Sequence, residues 1–533
     1  MRRTVDVIVV GAGMSGLYAL HKLRGIGMDV QVFETGDGVG GTWHWNRYPG
    51  ARVDVKSMEY NLPFDPGLDQ DWEWTEKYPP QQELRRYLDH VADRFDLRRD
   101  IQLGTRVTEA VYAEPAQRWL VRTNRGDEVT AQFVVMATGC LSAAMFPEVP
   151  GLDSYTGHWY HTGHWPEEAV DFTGKRVAVI GTGSSGVQVI PLIAQQASKL
   201  TVFQRTPNFV VPANNHAINP EHQRSVKADY AAFRRANRES PLGTAFPPAT
   251  KSALEVSDEE RTAYFDLHWY DPDNHPAGLL VGYTDMITSK DANDTVAQYV
   301  RDRIADIVED PEVATMLQPI DHPFGTKRPC VGTDYYETYN LPHVDLVNVR
   351  TTPITKITPT GIRTSEQEYA FDAIVFATGF DAMTGALSRI NIRGRGGVAL
   401  AKKWADGPRT YLGIAVAGYP NLFTITGPGS PSVLSNMAVS IAQHVEWAAD
   451  LIAALRERDA STFEATLDAE DAWTQHVDEV SRMTLYPTAD SYYLGANVPG
   501  KPRVFLPYAG GVGLYRKKCD EVAANGYEGF ALA

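Results

Sequence analysis

The sequence predicts an α/β fold of two parallel-sheet domains in one chain, the second carrying a helical insertion. Three observations predict it. A glycine-rich strand-turn-helix-strand unit occupies residues 5–34, and the same unit returns at residues 177–206. Each is completed downstream by a similar apolar strand ending in Ala-Thr-Gly, at residues 133–139 and 371–379.

At 533 residues the chain is too long for one core and divides into two or three domains. With 43% hydrophobic and 22% charged residues, its composition is globular. A net charge of -16 opposes binding to nucleic acid or an anionic membrane, since either requires a basic face. Cys140, Cys330 and Cys519 form no CxxC pair, so neither a disulfide framework nor a metal site is expected. Asp6 interrupts the apolar run after Met1-Arg2-Arg3, which reads as a first strand and not a signal peptide. No run reaches the length of a membrane span, and the expected compartment is cytoplasmic. The oligomeric state is left open, with a monomer compatible with the sequence.

In the first unit an apolar strand over residues 5–10 leads into Gly11-Ala12-Gly13-Met14-Ser15-Gly16. A helix with Leu17, Leu20 and Leu23 follows, then a strand over residues 30–33 that ends at Glu34. The glycines permit a tight turn and close approach of a pyrophosphate. The helix N-terminus attracts its charge, and Glu34 accepts from ribose hydroxyls. This is the fingerprint of a Rossmann-like dinucleotide-binding domain. The second unit repeats it with Gly181-Thr182-Gly183-Ser184-Ser185-Gly186, a helix from Val187 onward and a strand over residues 200–203. Its strand end reads Gln204-Arg205-Thr206, and a guanidinium in place of an acid suits a 2′-phosphate. FAD is therefore expected at the first site and NADPH at the second, a pairing that transfers hydride from nicotinamide to flavin.

The predicted order of domains is FAD-binding over residues 1–145, NADPH-binding over 146–211, helical insertion over 212–326, NADPH-binding again over 327–384 and FAD-binding over 385–533 with a mobile C-terminal loop. The insertion shows helical periodicity at residues 294–308 and a Pro/Gly-rich patch at 241–248. It either widens a buried interface or shapes a substrate cleft. Where the two units join, Tyr155-Thr-Gly157-His-Trp-Tyr-His161-Thr-Gly-His-Trp165-Pro166 crowds aromatics, imidazoles and glycines into a linker that needs none of them.

That segment closely matches Phe-x-Gly-x-x-x-His-x-x-x-Trp-Pro, with Tyr155 in place of the first aromatic, and on it the chain resembles the type I Baeyer-Villiger monooxygenases, class B flavin enzymes, nearest the phenylacetone and steroid monooxygenase branch. The resemblance implies FAD, NADPH, O2 and a ketone converted to an ester or lactone through a C4a-peroxyflavin, with sulfoxidation as a side activity. It places Arg328, in Gly325-Thr-Lys327-Arg328-Pro329, as the cation that keeps the peroxide anionic and Asp54 as the carboxylate that orients it. Lys327 would reach the NADP 2′-phosphate. Ser15, Thr42, Trp43, His44, Trp45, Arg52, Asp54, Tyr60, Val107 and Met437 fall on the flavin side, and Thr182, Gly183, Ser184, Ser185, Gly186, Val187, Gln188, Arg205 and Thr206 on the NADP side. Relatives often carry tyrosine at His44, whose imidazole is expected to face solvent. Ser432, Val433 and Leu434 resemble the substrate-proximal bulge, and the helix after Met437 is expected to aim its N-terminus at the flavin. Tyr492 replaces a tryptophan in the loop over NADP, and His161 is implied to couple the domains rather than to touch substrate.

Two further readings use the same scaffold: an N- or S-hydroxylating flavin monooxygenase, and a non-catalytic NADPH sensor. A disulfide reductase is disfavoured because the flavin-side helix lacks a cysteine pair.

Overall fold

A computed structural model describes residues 3–533. Strand Arg3–Val10 has an almost continuous apolar run, as a parallel strand covered on both faces requires. It lies between Val30–Phe33 and Glu128–Met136, parallel to both. Ile101–Gln102 extends the sheet beyond Val30–Phe33, again in parallel. The strand Glu128–Met136 is long enough for two partners on its other edge. Its first half pairs antiparallel with Arg118–Thr123, and its second half pairs parallel with Leu422–Thr424. Val107–Ala113 and Asn391–Arg393 complete this eight-stranded sheet.

The second sheet is wholly parallel, in the order Val344–Asn348, Lys199–Gln204, Arg176–Ile180, Ala373–Phe376 and His158–His161. The two Ala-Thr-Gly strands occupy equivalent places: Met136 is in register with Val10, and Phe376 with Ile180. Both are interior strands, because the chain later adds Leu422–Thr424 beside one and has already laid His158–His161 beside the other.

Helix Met14–Gly25 covers the first sheet and packs with Met437–Glu457, burying Leu17, Leu20, Ile441, Val445 and Leu451 in one core. Ser184–Ala194 plays the same part on the second sheet through Val187, Ile190 and Ile193. The predicted insertion does not act as one body. Helices Pro220–Ala228 and Tyr230–Glu239 bury Val226 and Tyr230 in the first core, where Tyr230 Oη donates to the Met58 carbonyl at 2.5 Å and Arg234 pairs with Asp69. Helices Asp258–Tyr270 and Lys290–Ile307 instead bury Phe265, Trp269, Val296 and Ile304 in the second core. The insertion thus bridges the two sheets. Among the described residues no helix is long and apolar enough to cross a membrane.

Candidate functional site

Each glycine-rich turn forms a cradle fitted to a dinucleotide. Gly11 and Gly181 have φ of +105° and +109°, a region L side chains rarely adopt. A Cβ on Gly16 would lie 1.8 Å from the Gly11 carbonyl oxygen, and one on Gly186 would lie 2.2 Å from that of Gly181. The third glycine of each motif therefore lets the helix seat directly on its turn. A Cβ on Gly11 or Gly181 would likewise meet the Ala137 or Ala377 carbonyl oxygen, at 2.5 and 2.4 Å, whereas the middle glycine has more room: Gly183 has no atom within 4 Å of a built Cβ, and Gly13 meets backbone alone, at Gly41. Buried Glu34 accepts from the Ala12 amide at 2.6 Å and the Gly36 amide at 2.7 Å, and burial raises its carboxyl above the ordinary value.

At the second strand end, neither Arg205 nor Lys327 forms a salt bridge among the described residues. Burial lowers the Lys327 pKa, and the Arg205 and Arg350 charges lower it further. Arg350, which sequence reasoning missed, donates to Thr206 Oγ1 at 2.8 Å and to Asp321 at 2.7 Å. It follows a strand that pairs with Lys199–Gln204, so its place beside Arg205 is set by sheet order, which carries no local signal. Three cations, Arg205, Lys327 and Arg350, outnumber the two carboxylates near them, Asp321 and Asp490, and suit a multivalent anion.

Asp54 and Arg328, 274 positions apart, meet in a bidentate pair: Nε to Oδ2 at 2.7 Å and Nη2 to Oδ1 at 2.9 Å. Nη1 donates to the Val433 carbonyl at 3.0 Å. Burial pushes the Asp54 carboxyl up, but the Arg328 charge and hydrogen bonds outweigh it and hold it below the usual range. The Asp54 charge raises the Arg328 pKa further, so its proton is never available. Val433 is a buried β-branched residue at φ +62°, and this strained bulge is what aims its carbonyl at the guanidinium. Met437 Sδ accepts from the Val433 amide at 3.3 Å, and Asn436 caps the helix by accepting from the Ala438 amide at 3.0 Å. The pair borders a cavity of about 100 Å³ between the insertion and the loops that carry Asp54 and Leu434, with Leu242, Phe246, Leu280, Phe324 and Tyr493 on its walls.

Other expected flavin-side residues divide. Trp43 and Tyr60 are buried edge to face at 6.1 Å. Trp45 is half-buried, Thr42 is exposed and Ser15 is buried at the start of its helix. Val107 sends its side chain into the core below the sheet, leaving only its backbone for a ligand. Arg52 commits Nη1 to Glu76 and to the Tyr78 carbonyl, both at 3.0 Å. His44 corrects the expectation of a solvent-facing ring: it is fully buried, with Nε2 3.0 Å from Asp37 Oδ1. Gly36 and Gly38, which have no side chains, leave a slot that the imidazole fills, and burial together with the Arg47 charge lowers its pKa. On the second sheet, Gln188 bonds Tyr48 Oη at 2.8 Å and the Arg52 carbonyl at 3.1 Å, tying its helix to the flavin-side loop. Thr182 Oγ1 donates to the Thr206 carbonyl at 3.1 Å, and Ser184 Oγ lies 3.5 Å from Cys330 Sγ. Tyr492 is half-buried with its ring tilted at 57° to that of Tyr493, centroids 4.5 Å apart, and close enough to feel the Arg328 charge. Its loop is docked, with Asn497 donating to the Phe380 carbonyl at 2.7 Å and Lys501 bound to Asp381 at 2.6 Å.

His161 lies at the joint itself. Nδ1 accepts from the Gly163 amide at 2.9 Å, while Nε2 is 3.1 Å from the Met145 carbonyl and 3.2 Å from Thr378 Oγ1. It therefore holds both segments that connect the sheets. Tyr155, in place of the usual phenylalanine, donates to the Phe371 carbonyl at 3.0 Å. Gly157 is required beneath it, since a Cβ there would lie 2.4 Å from the Tyr155 hydroxyl oxygen.

Known proteins share this fold. A family model described as flavin-binding monooxygenase-like matches residues 4–222. A solved structure of oxidized steroid monooxygenase bound to NADP aligns with a TM-score of 0.94 and 50% identity, covering 99% of both chains. A Baeyer-Villiger monooxygenase of Pseudooceanicola batsensis is 41% identical over 98% of this chain and 95% of its own length. A phenazine N-monooxygenase of Lysobacter antibioticus is 41% identical over 99% of this chain and 97% of its own length. At such identities over nearly its whole length, the chain belongs to the Baeyer-Villiger family of flavin-binding monooxygenases.

Proposed function

We propose that the protein is an FAD-containing monooxygenase that uses NADPH and O2 to convert ketones into esters or lactones, with sulfide oxidation as a side activity. The observation that carries this reading is the Arg328 guanidinium, fixed by Asp54 and the Val433 carbonyl at the wall of a largely apolar cavity. FAD, when bound and reduced, supplies the oxygen-activating chemistry. Arg328 stabilises negative charge that develops beside it without donating a proton that would quench a nucleophile. Asp54 keeps the guanidinium plane in one orientation, and the apolar walls exclude water.

We assign FAD to residues 1–145 and 385–533, held by Gly11, Gly13, Ser15, Gly16 and Glu34 with the loop from Thr42 to Asp54. NADPH belongs to residues 146–211 and 327–384, its 2′-phosphate gripped by Arg205, Thr206, Lys327 and Arg350.

A panel of cyclic, aryl-alkyl, linear and steroidal ketones tests the activity, with NADPH oxidation and product mass followed together. The expected product is the ketone plus one oxygen atom, as ester or lactone. NADPH oxidation with no oxygenated ketone product across the panel sinks the proposal. The similarity to a phenazine N-monooxygenase favours one second reading, nitrogen oxidation. N-oxide from an aromatic amine panel, with no ester from any ketone, would establish it instead.

A further inference from the structure

Most of the polar side chains on the cavity walls are already committed to the protein itself. Thr244 Oγ1 donates to Glu59 Oε2 at 2.7 Å, Ser435 Oγ to the Pro431 carbonyl at 2.9 Å, and Asn436 Nδ2 to the Glu59 carbonyl at 2.8 Å. The Tyr493 hydroxyl is met by that of its neighbour Tyr492, and His275 Nε2, though unpaired, is closed off. Tyr486, to which no role has been assigned above, lines the same cavity and differs from all of these. Its hydroxyl has no hydrogen-bond partner among the described residues, yet it is not closed off.

The fold holds that hydroxyl in one place. Tyr486 opens a short turn, Tyr486–Thr488, in which Pro487 fixes the backbone. The Leu485 amide just before it donates to the Ile287 carbonyl of the insertion at 2.8 Å, and the Thr488 amide closes the turn onto the Leu485 carbonyl at 3.0 Å. The Tyr486 ring stacks on Phe505 with centroids 5.5 Å apart and meets Tyr493 edge to face at 5.7 Å. It packs in one small core with Met383, Leu506 and Val433, the residue whose carbonyl holds Arg328. These contacts cover the ring, so Tyr486 is only 8% exposed and what stays open is its hydroxyl end. Burial raises its pKa, and the hydroxyl keeps its proton.

The reacting carbonyl has donors of its own, because Arg328 spends three of its five N–H groups on Asp54 and Val433 and keeps two. A ketone that is otherwise hydrocarbon would cover the Tyr486 hydroxyl without pairing it, which costs binding energy. A ketone with a second oxygen there avoids that cost. We infer that Tyr486 is a specificity-determining residue: its hydroxyl hydrogen-bonds a second oxygen of the substrate, distinct from the ketone carbonyl. The substrates favoured are ketones that carry a hydroxyl, ether or further carbonyl group. This rests on the proposed ketone oxidation, and the test separates the two.

Tyr486→Phe removes the oxygen alone and keeps the ring against Phe505. Since the hydroxyl holds no protein group, the unliganded variant should keep the wild-type thermal midpoint. The test compares two matched pairs, 4-hydroxycyclohexanone with 4-methylcyclohexanone and 8-hydroxy-2-octanone with 2-nonanone. Dissociation constants are measured by calorimetry on the flavin-loaded protein with NADP+, and product formation is followed separately. From wild type to Tyr486→Phe, the hydroxyl member of at least one pair should lose about 10-fold relative to its alkyl partner, in Kd and KM rather than in kcat. A ratio unchanged in both pairs overturns the inference, as does failure of the wild type to bind either hydroxyl ketone. So does an equal loss for both members, which marks contact with the reacting carbonyl or a structural role, and so does weaker NADP+ binding with the ratio unchanged, which marks the dinucleotide as the partner. A shifted binding ratio without any ester would sustain Tyr486 while removing the ketone oxidation.

Discussion

Arg328 contributes through where it is held as much as through its charge. A lysine would keep the charge but lose the two-point grip on Asp54 and the bond to Val433. Arg328→Lys is expected to lower ester formation by about 100-fold or more while flavin absorbance is retained and NADPH oxidation continues, read by product analysis beside NADPH consumption. The Val433 bulge allows a different check. Its left-handed backbone costs about 1–3 kcal/mol, which glycine relieves, and that gain offsets most of the buried side chain lost. Val433→Gly should therefore shift the thermal midpoint far less than Val179→Gly, made at an equally buried strand position of ordinary geometry, while still slowing oxygenation. A midpoint loss as large as that of Val179→Gly would show that the bulge stores no strain.

At the scale of elements, the two cradles make separable predictions because the same clash occurs in different sheets. A methyl at Gly16 or Gly186 would collide with the carbonyl of its own turn and push the helix N-terminus off its seat. Gly16→Ala is expected to yield protein without flavin absorbance. Gly186→Ala should keep flavin but weaken NADPH by about 10-fold or more, measured by titration of the flavin-loaded protein. These cradles were legible in the sequence because each is local: strand, glycines, helix and strand lie within about 30 residues. The Arg350 cluster was not, since it depends on which strand lies beside Lys199–Gln204. Nor was the division of residues 212–326 between two cores, as amphipathic periodicity shows that a face is buried but not against what.

Across the whole molecule, His161 ties both connecting segments to the second sheet through Nε2–H, and only the neutral ring can also accept the Gly163 amide at Nδ1. Burial lowers its pKa from 6.5 to about 4. The unfolded chain takes up a proton at higher pH than the folded one, so its contribution is complete above 6.5 and is lost as pH falls toward 4. The loss approaches 1.4 kcal/mol per pH unit within that window, about 3 kcal/mol in total. His444, lowered to about 4 by burial, adds to the same slope. Thermal midpoints from about pH 7 to about pH 5 should fall less steeply in His161→Gln than in the wild type. Equal slopes would show that His161 carries no such linkage.

The sequence by itself determined what depends on short-range geometry and residue chemistry: two dinucleotide cradles, the acid at one strand end and the arginine at the other, and a joint segment whose composition no linker needs. Asp54 and Arg328 were nameable only through resemblance, because nothing in either neighbourhood records a partner 274 positions away. Tertiary structure decided the rest. It buried His44 in a slot left by glycines, turned the Val433 carbonyl onto Arg328, and brought Arg350 onto Thr206. The physical reason is common to all three. Burial and hydrogen-bond partnership belong to the space where distant segments converge, and only the folded chain defines that space.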